Sequence, residues 1–355
     1  MKVALNAHFR HHPGTGSGQY LTHLLRYFAD GSLPVEPIPL FQPAPTNLRK
    51  VWWEQAVYPR LARRSSAAVW HVPYFAPPLA HTRPLVATIH DLIQLIIPEY
   101  ITSPLVRLYN SLVALGARRA DLILADSEAS KRDIVRLLKI PETRVRVVYL
   151  APDEAVYRTV TADEIAAVRA KYDLAQRYVL YFGGLDKRKN VPALLRALAA
   201  LPDVDWQLAI SGRLRSDHPR LFPDLPALAA QLGIQDRVRF LGFAPDDDKP
   251  ALIRGATCFA FPSLYEGFGM DPLEALVCGT PVVCSNRSSL PELMGDAALL
   301  VDPADEAALG DALRRVLIDA GLRADLAARG LAQAANFTWQ KTASQTCEAY
   351  AACAS

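Results

Sequence analysis

The chain has 355 residues, of which 51% are hydrophobic and 21% charged, the balance of a globular protein long enough for two domains. No run of about 18 apolar residues appears, so no membrane-spanning helix is expected. Five cysteines, an odd number with no C-x-x-C pair, argue against a disulfide framework or a zinc site and for a reducing cytoplasm.

The net charge of +3 is unevenly spread. Residues 1–150 hold 18 Lys+Arg against 10 Asp+Glu (+8), and residues 151–355 hold 21 against 26 (−5). A basic first half suits an acidic acceptor or an anionic membrane surface, or is ordinary scatter of arginines on helix faces.

The start, MKVALNAHFRHH, lacks the apolar run of a secretory signal and reads as a first strand. In chain order, KVALNA, PLVATIH, DLILAD and VRVVYL read as strands of the first half. RYVLYFGG, WQLAISG, RVRFLGF, CFAFPS and PVVCSN read as strands of the second. Amphipathic stretches such as VPALLRALAAL and DPLEALVCG lie between them. Several strands are continuous apolar runs, as a parallel sheet covered on both faces requires. The expectation is an α/β chain of two Rossmann-like, doubly wound parallel-sheet domains facing across a cleft. The break is expected within the polar segment 151–176. The domains are expected at 1–155 and 156–336, with a terminal helix over 337–355.

Ligands of open α/β sheets bind where strands end, so the loops after strands are the places to look. After the first strand, Gly14, Gly16, Ser17 and Gly18 form a glycine cluster, but not with the spacing G-x-G-x-x-G. Glu36 lies roughly where a ribose-binding acid of a nicotinamide site would fall, and such a site is not expected on this evidence. His90 ends a strand beside Asp91, either as a satisfied structural pair or as a polar group with a function. The loop GGLDKRKN places Lys187, Arg188 and Lys189 before a helix expected from Asn190. Cations oppose a helix dipole there unless they face an anion; a solvated basic turn is the alternative.

The loop of EGFGMDPLEAL follows the strand CFAFPS. Asp271 suits an N-cap, Pro272 the first helical position, and Glu274 the far end of an Asp-x-x-Glu capping box. That reading leaves Glu266 unexplained, along with the glycines flanking Phe268. A phosphate-bearing ligand with hydroxyls would use backbone amides and the helix end for phosphate, and carboxylates for hydroxyls.

Taken together, these stretches resemble the retaining glycosyltransferases of family 4. SLYEGFGMDPLEALVCGTPVVCSNRSSLPELMGDAALLVDP is similar to the family's C-terminal signature, and GTGSGQY, IHDL, ADSEASKRDI, GGLDKRKN and RFLGF occur in the expected order. The resemblance implies a two-Rossmann-domain GT-B fold. Acceptor binding falls mainly to the first domain, donor binding to the second, and the last helix returns to the first. It implies that Glu274 binds the donor ribose and that Glu266 and His90 lie near the donor sugar. It also implies that Gly267, Phe268, Gly269 and Met270 contact sugar and phosphate through their backbone. By the same resemblance Lys189 would neutralise the diphosphate, Gly16, Ser17 and Gly18 would approach it, and Phe243 would lie near the base. His90, Lys189 and Glu266 are the catalytic candidates. One departure concerns Gly184, where many members carry arginine; Arg188 either substitutes for it or points elsewhere, and Gly184 and Arg188 both stand among the implied donor-binding residues.

The implied reaction moves a hexose, with mannose favoured, from a nucleotide-diphosphate sugar to a glycan, lipid-linked or small-molecule acceptor, with retention. Cations and helix ends would stabilise the leaving phosphate, so no metal or other cofactor is expected. Asp203-Val-Asp205 and Asp246-Asp247-Asp248 read as solvated turns rather than metal ligands. Nucleic acid is not an expected partner. The basic, aromatic stretch RKVWWEQAVYPRLARRS, with Trp52, Trp53, Arg60, Arg63 and Arg64, suits peripheral contact with the cytoplasmic membrane face or a helix packing tryptophan into a core. A nucleotide-sugar epimerase, a sugar phosphorylase and a non-catalytic sugar-nucleotide binder are the alternatives on the same architecture.

Overall fold

The computed structural model describes residues 1–12, 15–43, 46–101, 103–153, 156–157 and 160–354. Short apolar strands alternate with helices, and every strand pairing is parallel. The chain divides into unit 1, residues 1–151 with 337–355, and unit 2, residues 152–336.

In unit 1, β1 (Lys2–Asn6), β2 (Glu36–Leu40), β3 (Val69–Val72), β4 (Leu85–Ile89), β5 (Leu122–Ala125) and β6 (Val145–Val147) form one sheet, ordered β2-β1-β3-β4-β5-β6. In unit 2, β7 (Val179–Phe182), β8 (Leu208–Ser211), β9 (Val238–Gly242), β10 (Cys258–Phe261), β11 (Val282–Ser285) and β12 (Ala298–Val301) are ordered β12-β11-β10-β7-β8-β9. The inner strands β3, β4, β7, β8, β10 and β11 are buried along almost their whole length. That burial explains their unbroken Val, Leu, Ile, Phe and Ala runs. Strand β2 reads EPIPL and carries two prolines. It lies at the sheet edge, where a missing N–H leaves no ladder bond unmade.

Each order contains one point where the winding reverses. In unit 1 it lies between β1 and β3, and in unit 2 between β7 and β10. Adjacent loops leave such a point in opposite directions and open a crevice at the carboxyl ends of the strands. Side chains just past β1, β3, β7 and β10 are therefore the ones this fold offers to a ligand.

The terminal helix Trp339–Ala354 belongs to unit 1. The Thr342 hydroxyl donates to the Tyr149 carbonyl at 2.7 Å, and Trp339 stacks on His23 at 4.4 Å between ring centroids. Tyr350 lies 2.7 Å from Nδ1 of the fully buried His71, whose Nε2 lies 2.9 Å from Thr88 Oγ1. Burial first, and then the neighbouring His90, lower the His71 pKa to about 3. The unfolded chain takes up this proton below about pH 6.5 while the folded chain refuses it, so stability falls as pH falls between those values. From pH 6.5 to 4.5 the loss from this residue is about 2 kcal/mol. His71→Gln is expected to flatten that part of the urea-midpoint profile. A profile of unchanged slope in the variant would show that His71 is not the titrating group.

Candidate functional site

The loops after β7 and β10 meet at the reversal point of unit 2. Glu266 lies in the β10 loop and is 8% exposed. Its Oε2 is 2.7 Å from Arg188 Nη1, and its Oε1 is 2.8 Å from Lys189 Nζ. The cations arrive through a 3₁₀ turn, Lys187–Lys189, capped by the Asp186 side chain, which accepts from the Arg188 N–H. Asn190 closes the turn in the left-handed conformation (φ 56°), so the α-helix begins at Val191 rather than at Asn190 as expected. Arg188 also donates to the Tyr265 carbonyl at 2.9 Å, and the Lys189 ammonium sits 4.5 Å from the centre of the Phe261 ring. Burial works against ionising Glu266, but Lys189 and Arg188 outweigh it and hold the carboxyl below its ordinary range. Arg188 thus faces this cluster rather than standing apart in a solvated turn. Gly184 has its own reason: a Cβ there would fall 2.9 Å from the Asp186 carboxylate.

The capping-box expectation for Asp271 and Glu274 fails. The helix runs Met270–Val277, its N-cap is Gly269, and Asp271 and Pro272 lie inside it. Gly269 sits at φ +121°, and a Cβ there would meet Leu290 at 2.7 Å, so conformation and space both demand glycine. The loop is held by two serines instead. Glu266 N–H donates to Ser288 Oγ at 2.9 Å, and the buried Ser289 hydroxyl bonds the carbonyls of Glu266 and Phe268. Gly267 and Phe268 are buried, and Met270 opens the helix, whose first N–H groups have no intrahelical acceptor.

Glu274 is freed from capping and lies 2.6 Å from Lys249 Nζ, which also holds Asp271 at 3.0 Å. Tyr157 hydrogen-bonds the same carboxylate. Burial raises the Glu274 pKa, Lys249 opposes that rise, and Asp271 adds to it. The Lys249 ammonium sits over the Phe182 ring at 4.6 Å, beside the end of β7. Sequence reasoning missed Lys249 because it stands in the triple-aspartate turn DDDKP, where the acids drew the eye. Asp248 of that turn bonds Lys171 and Tyr172, and Asp203 pairs with Arg314. Phe243, just past β9, is 70% exposed.

In unit 1, Gly16 and Ser17 open the helix Gly16–Ala29, whose N-cap Thr15 accepts from the Gly18 N–H at 3.1 Å. A Cβ on Gly18 would fall 2.1 Å from the His12 carbonyl, so this glycine packs against its own loop; nothing lies within 4 Å of the same position on Gly16. Gly14 lies outside the described residues. Glu36 begins β2 on the surface, paired with Lys2 at 3.4 Å. His90 follows β4, and its partner is the buried Asp126 at the end of β5, at 2.7 Å. The adjacent Asp91 instead accepts from the Ile93 N–H. Burial works against the His90 charge, and the Asp126 carboxylate overcomes it and raises the pKa. The signal for Asp126 was its place after the strand DLILAD. Of the tryptophan pair, Trp53 is buried and donates to Asn6 Oδ1 at 2.9 Å, whereas Trp52 is 61% exposed under Arg60. Among the described residues no helix is long and apolar enough to cross a membrane.

Two family models match in chain order: "Glycosyltransferase Family 4" over residues 16–155 and "Glycosyl transferases group 1" over 164–333. The O-antigen chain mannosyltransferase B of Escherichia coli is 38% identical over 286 residues, 79% of this chain and 74% of that protein. A serotype-specific mannosyltransferase WbdA, also from Escherichia coli, is 32% identical over 75% of this chain, which spans only 33% of that longer protein. Among solved structures, sucrose-phosphate synthase from Thermosynechococcus elongatus superposes with a TM-score of 0.77 at 22% identity, covering 99% of this chain and 98% of that one, a likeness of fold. The paired sheets, the two matched models and the mannosyltransferase relative agree, and the chain belongs to glycosyltransferase family 4, with the GT-B type of fold.

Proposed function

We propose that the chain transfers mannose from GDP-mannose to a glycan acceptor with retention, unit 2 holding the donor and unit 1 the acceptor. The observation that carries this reading is the pair of cations, the buried Lys189 and the mostly buried Arg188, gathered on Glu266 at the reversal point of unit 2. Breaking the bond from sugar to diphosphate places negative charge on the leaving group, and preorganised cations in a buried site stabilise it without reorganising. The N-terminus of helix Met270–Val277 adds its dipole to the same end. Glu274 is assigned to the ribose, with Lys249 and Tyr157 orienting it. Glu266 and His90 are assigned to the donor sugar. Retention is assigned to front-face attack, in which the leaving phosphate helps to deprotonate the acceptor hydroxyl. The mannosyltransferase relatives support the choice of sugar.

The test is thermal stabilisation by GDP, UDP, ADP and dTDP, each with EDTA or Mg²⁺. GDP at 100 times its Kd is expected to add about 2.7 kcal/mol to folding, with EDTA leaving the shift intact. A shift with UDP alone would replace the donor, and no shift with any nucleotide would overturn the donor site. Product analysis with and without acceptor separates transfer from the epimerase and phosphorylase readings.

A further inference from the structure

Two histidines belong to neighbouring strands of unit 1, and each uses both ring nitrogens. His71, on β3, meets Tyr350 Oη at Nδ1 and Thr88 Oγ1 at Nε2. A hydroxyl donates or accepts, so a single ring proton satisfies both contacts and His71 stays neutral. His90, just past β4, meets Asp126 Oδ2 at Nδ1 (2.7 Å) and the Pro73 carbonyl at Nε2 (3.3 Å). An ionised carboxylate and a carbonyl only accept, so both contacts are hydrogen bonds only when both nitrogens carry a proton. The partners of His90 therefore select the imidazolium, with Asp126 as its counter-ion.

The groups around the ring agree with that charge. Asp126 comes from the end of β5, and Asp91, the next residue in the chain, adds a second negative field. Tyr20, on the helix Gly16–Ala29, turns its ring to His90 edge to face at 5.1 Å, and burial keeps its hydroxyl un-ionised. His71 brings no competing charge, since burial holds its pKa at about 3. Ser130, on the helix Glu128–Leu138, donates to the His90 carbonyl at 3.2 Å and fixes the backbone below the ring. The two ring contacts differ in kind. The Asp126 bond is short and enclosed, whereas the Pro73 contact is longer than the usual range of about 2.7–3.2 Å. The His90 side chain is 19% exposed against 3% for Asp126. The Nε2 proton is thus the one that an incoming oxygen takes over from Pro73. A neutral ring has no such proton to give: its single proton stays at Nδ1 on the carboxylate, the stronger acceptor, and Nε2 is bare.

We propose that Asp126 is a positioning residue that keeps His90 protonated at both nitrogens, so that His90 serves the donor sugar as a hydrogen-bond donor through Nε2 and not as a base. This rests on the assignment of His90 to the donor sugar. The test follows the histidine rings of the full chain by ¹⁵N NMR across the pH range, with His90 assigned from its loss in His90→Gln. Initial rates of sugar transfer and the GDP-induced melting shift are measured on the same samples. The His90 ring is expected to lose its second proton above the ordinary histidine value of about 6.5, and the rate to fall as pH rises through that same point. Asp126→Asn keeps the shape without the charge. Its His90 should titrate at or below about 6.5, and its rate should fall about tenfold per pH unit beyond that point, with the GDP shift unchanged. His90→Gln offers an N–H that does not titrate, so its slower rate should lack this limb. A rate that rises with pH through the His90 titration would make His90 a base and overturn the proposal. So would a wild-type His90 that titrates at or below about 6.5, or an Asp126→Asn rate profile that superposes on the wild type's. If Asp126→Asn does not fold, the match between ring titration and rate in the wild type decides. Absence of the GDP shift in the wild type, with the His90 titration as expected, would count against the donor reading alone.

Discussion

Lys189→Ala is expected to lower the rate of sugar transfer by about 10²–10³-fold, the usual loss when one preorganised donor to a developing anion is removed. Lys189 is 7% exposed, and its ammonium is fixed between the Glu266 carboxylate at 2.8 Å and the Phe261 ring at 4.5 Å. Little side-chain entropy remains to be lost when a ligand arrives, so most of its charge acts on the leaving group. Because that charge grows as the bond breaks, kcat should fall, and because Lys189 also holds the bound diphosphate, kcat/KM should fall at least as far. The protein should still fold. Glu266 keeps Arg188 at 2.7 Å, so its buried carboxylate is not orphaned, and the loss should stay below the 3–5 kcal/mol typical of breaking an isolated buried pair. Lys189→Met, which restores the apolar stem without the charge, should recover melting temperature but not turnover. A Lys189→Ala enzyme within threefold of wild type would remove this lysine from the mechanism.

That the basic turn would face an anion rather than solvent was an expectation of the sequence, with a ligand's diphosphate as that anion; the protein carboxylate that holds two of its cations was not. Lys187, Arg188 and Lys189 before a helix conflict with its dipole, and the conflict pointed to an anion. The anion that Arg188 and Lys189 hold in the folded chain is Glu266, 77 residues beyond Lys189, and no local pattern reports a pairing of that range. The same limit hid Lys249 on Glu274 and Asp126 on His90. In each case a nearby acid, Asp271 or Asp91, offered a local reading, whereas the hydrogen-bonded partner comes from a distant segment. Strand positions were easier to read, because apolar runs such as VLYF and CFAF are their own signal. The strands that escaped reading break that signal for definite reasons. Strand β2 alternates proline with its other residues at an edge, β3 buries His71 in a four-residue run, and β12 is a short edge strand. The Asp-x-x-Glu box failed because Gly269 at φ +121° starts the helix earlier than the side-chain pattern suggests.

Glu266→Gln is expected to separate the two roles of the cluster by moving them in opposite directions. The substitution keeps shape and removes one negative charge from between Arg188 and Lys189. Without ligand, the buried Lys189 then loses its carboxylate partner while Arg188 keeps Asp186 at 3.6 Å, so the free enzyme should lose stability, by less than the roughly 3–5 kcal/mol of orphaning a buried charge outright. A nucleotide diphosphate brings the missing charge, so GDP should stabilise the variant more than the wild type, where it must compete with Glu266 for the same ammonium. Transfer should nevertheless fall about 10²-fold, if the carboxylate positions the donor sugar through charge-assisted hydrogen bonds that the amide cannot match. Lys189 and Arg188 hold the Glu266 carboxyl below its ordinary range, so it stays ionised at neutral pH and the difference from the variant should persist from about pH 5 to 8. Melting curves with and without GDP, beside initial rates, read all three effects. The decisive comparison is with Lys189→Ala, which should lose the GDP shift where Glu266→Gln gains it. If both variants lose the shift, Glu266 is itself part of the nucleotide's contact surface, and its assignment moves from the sugar to the diphosphate.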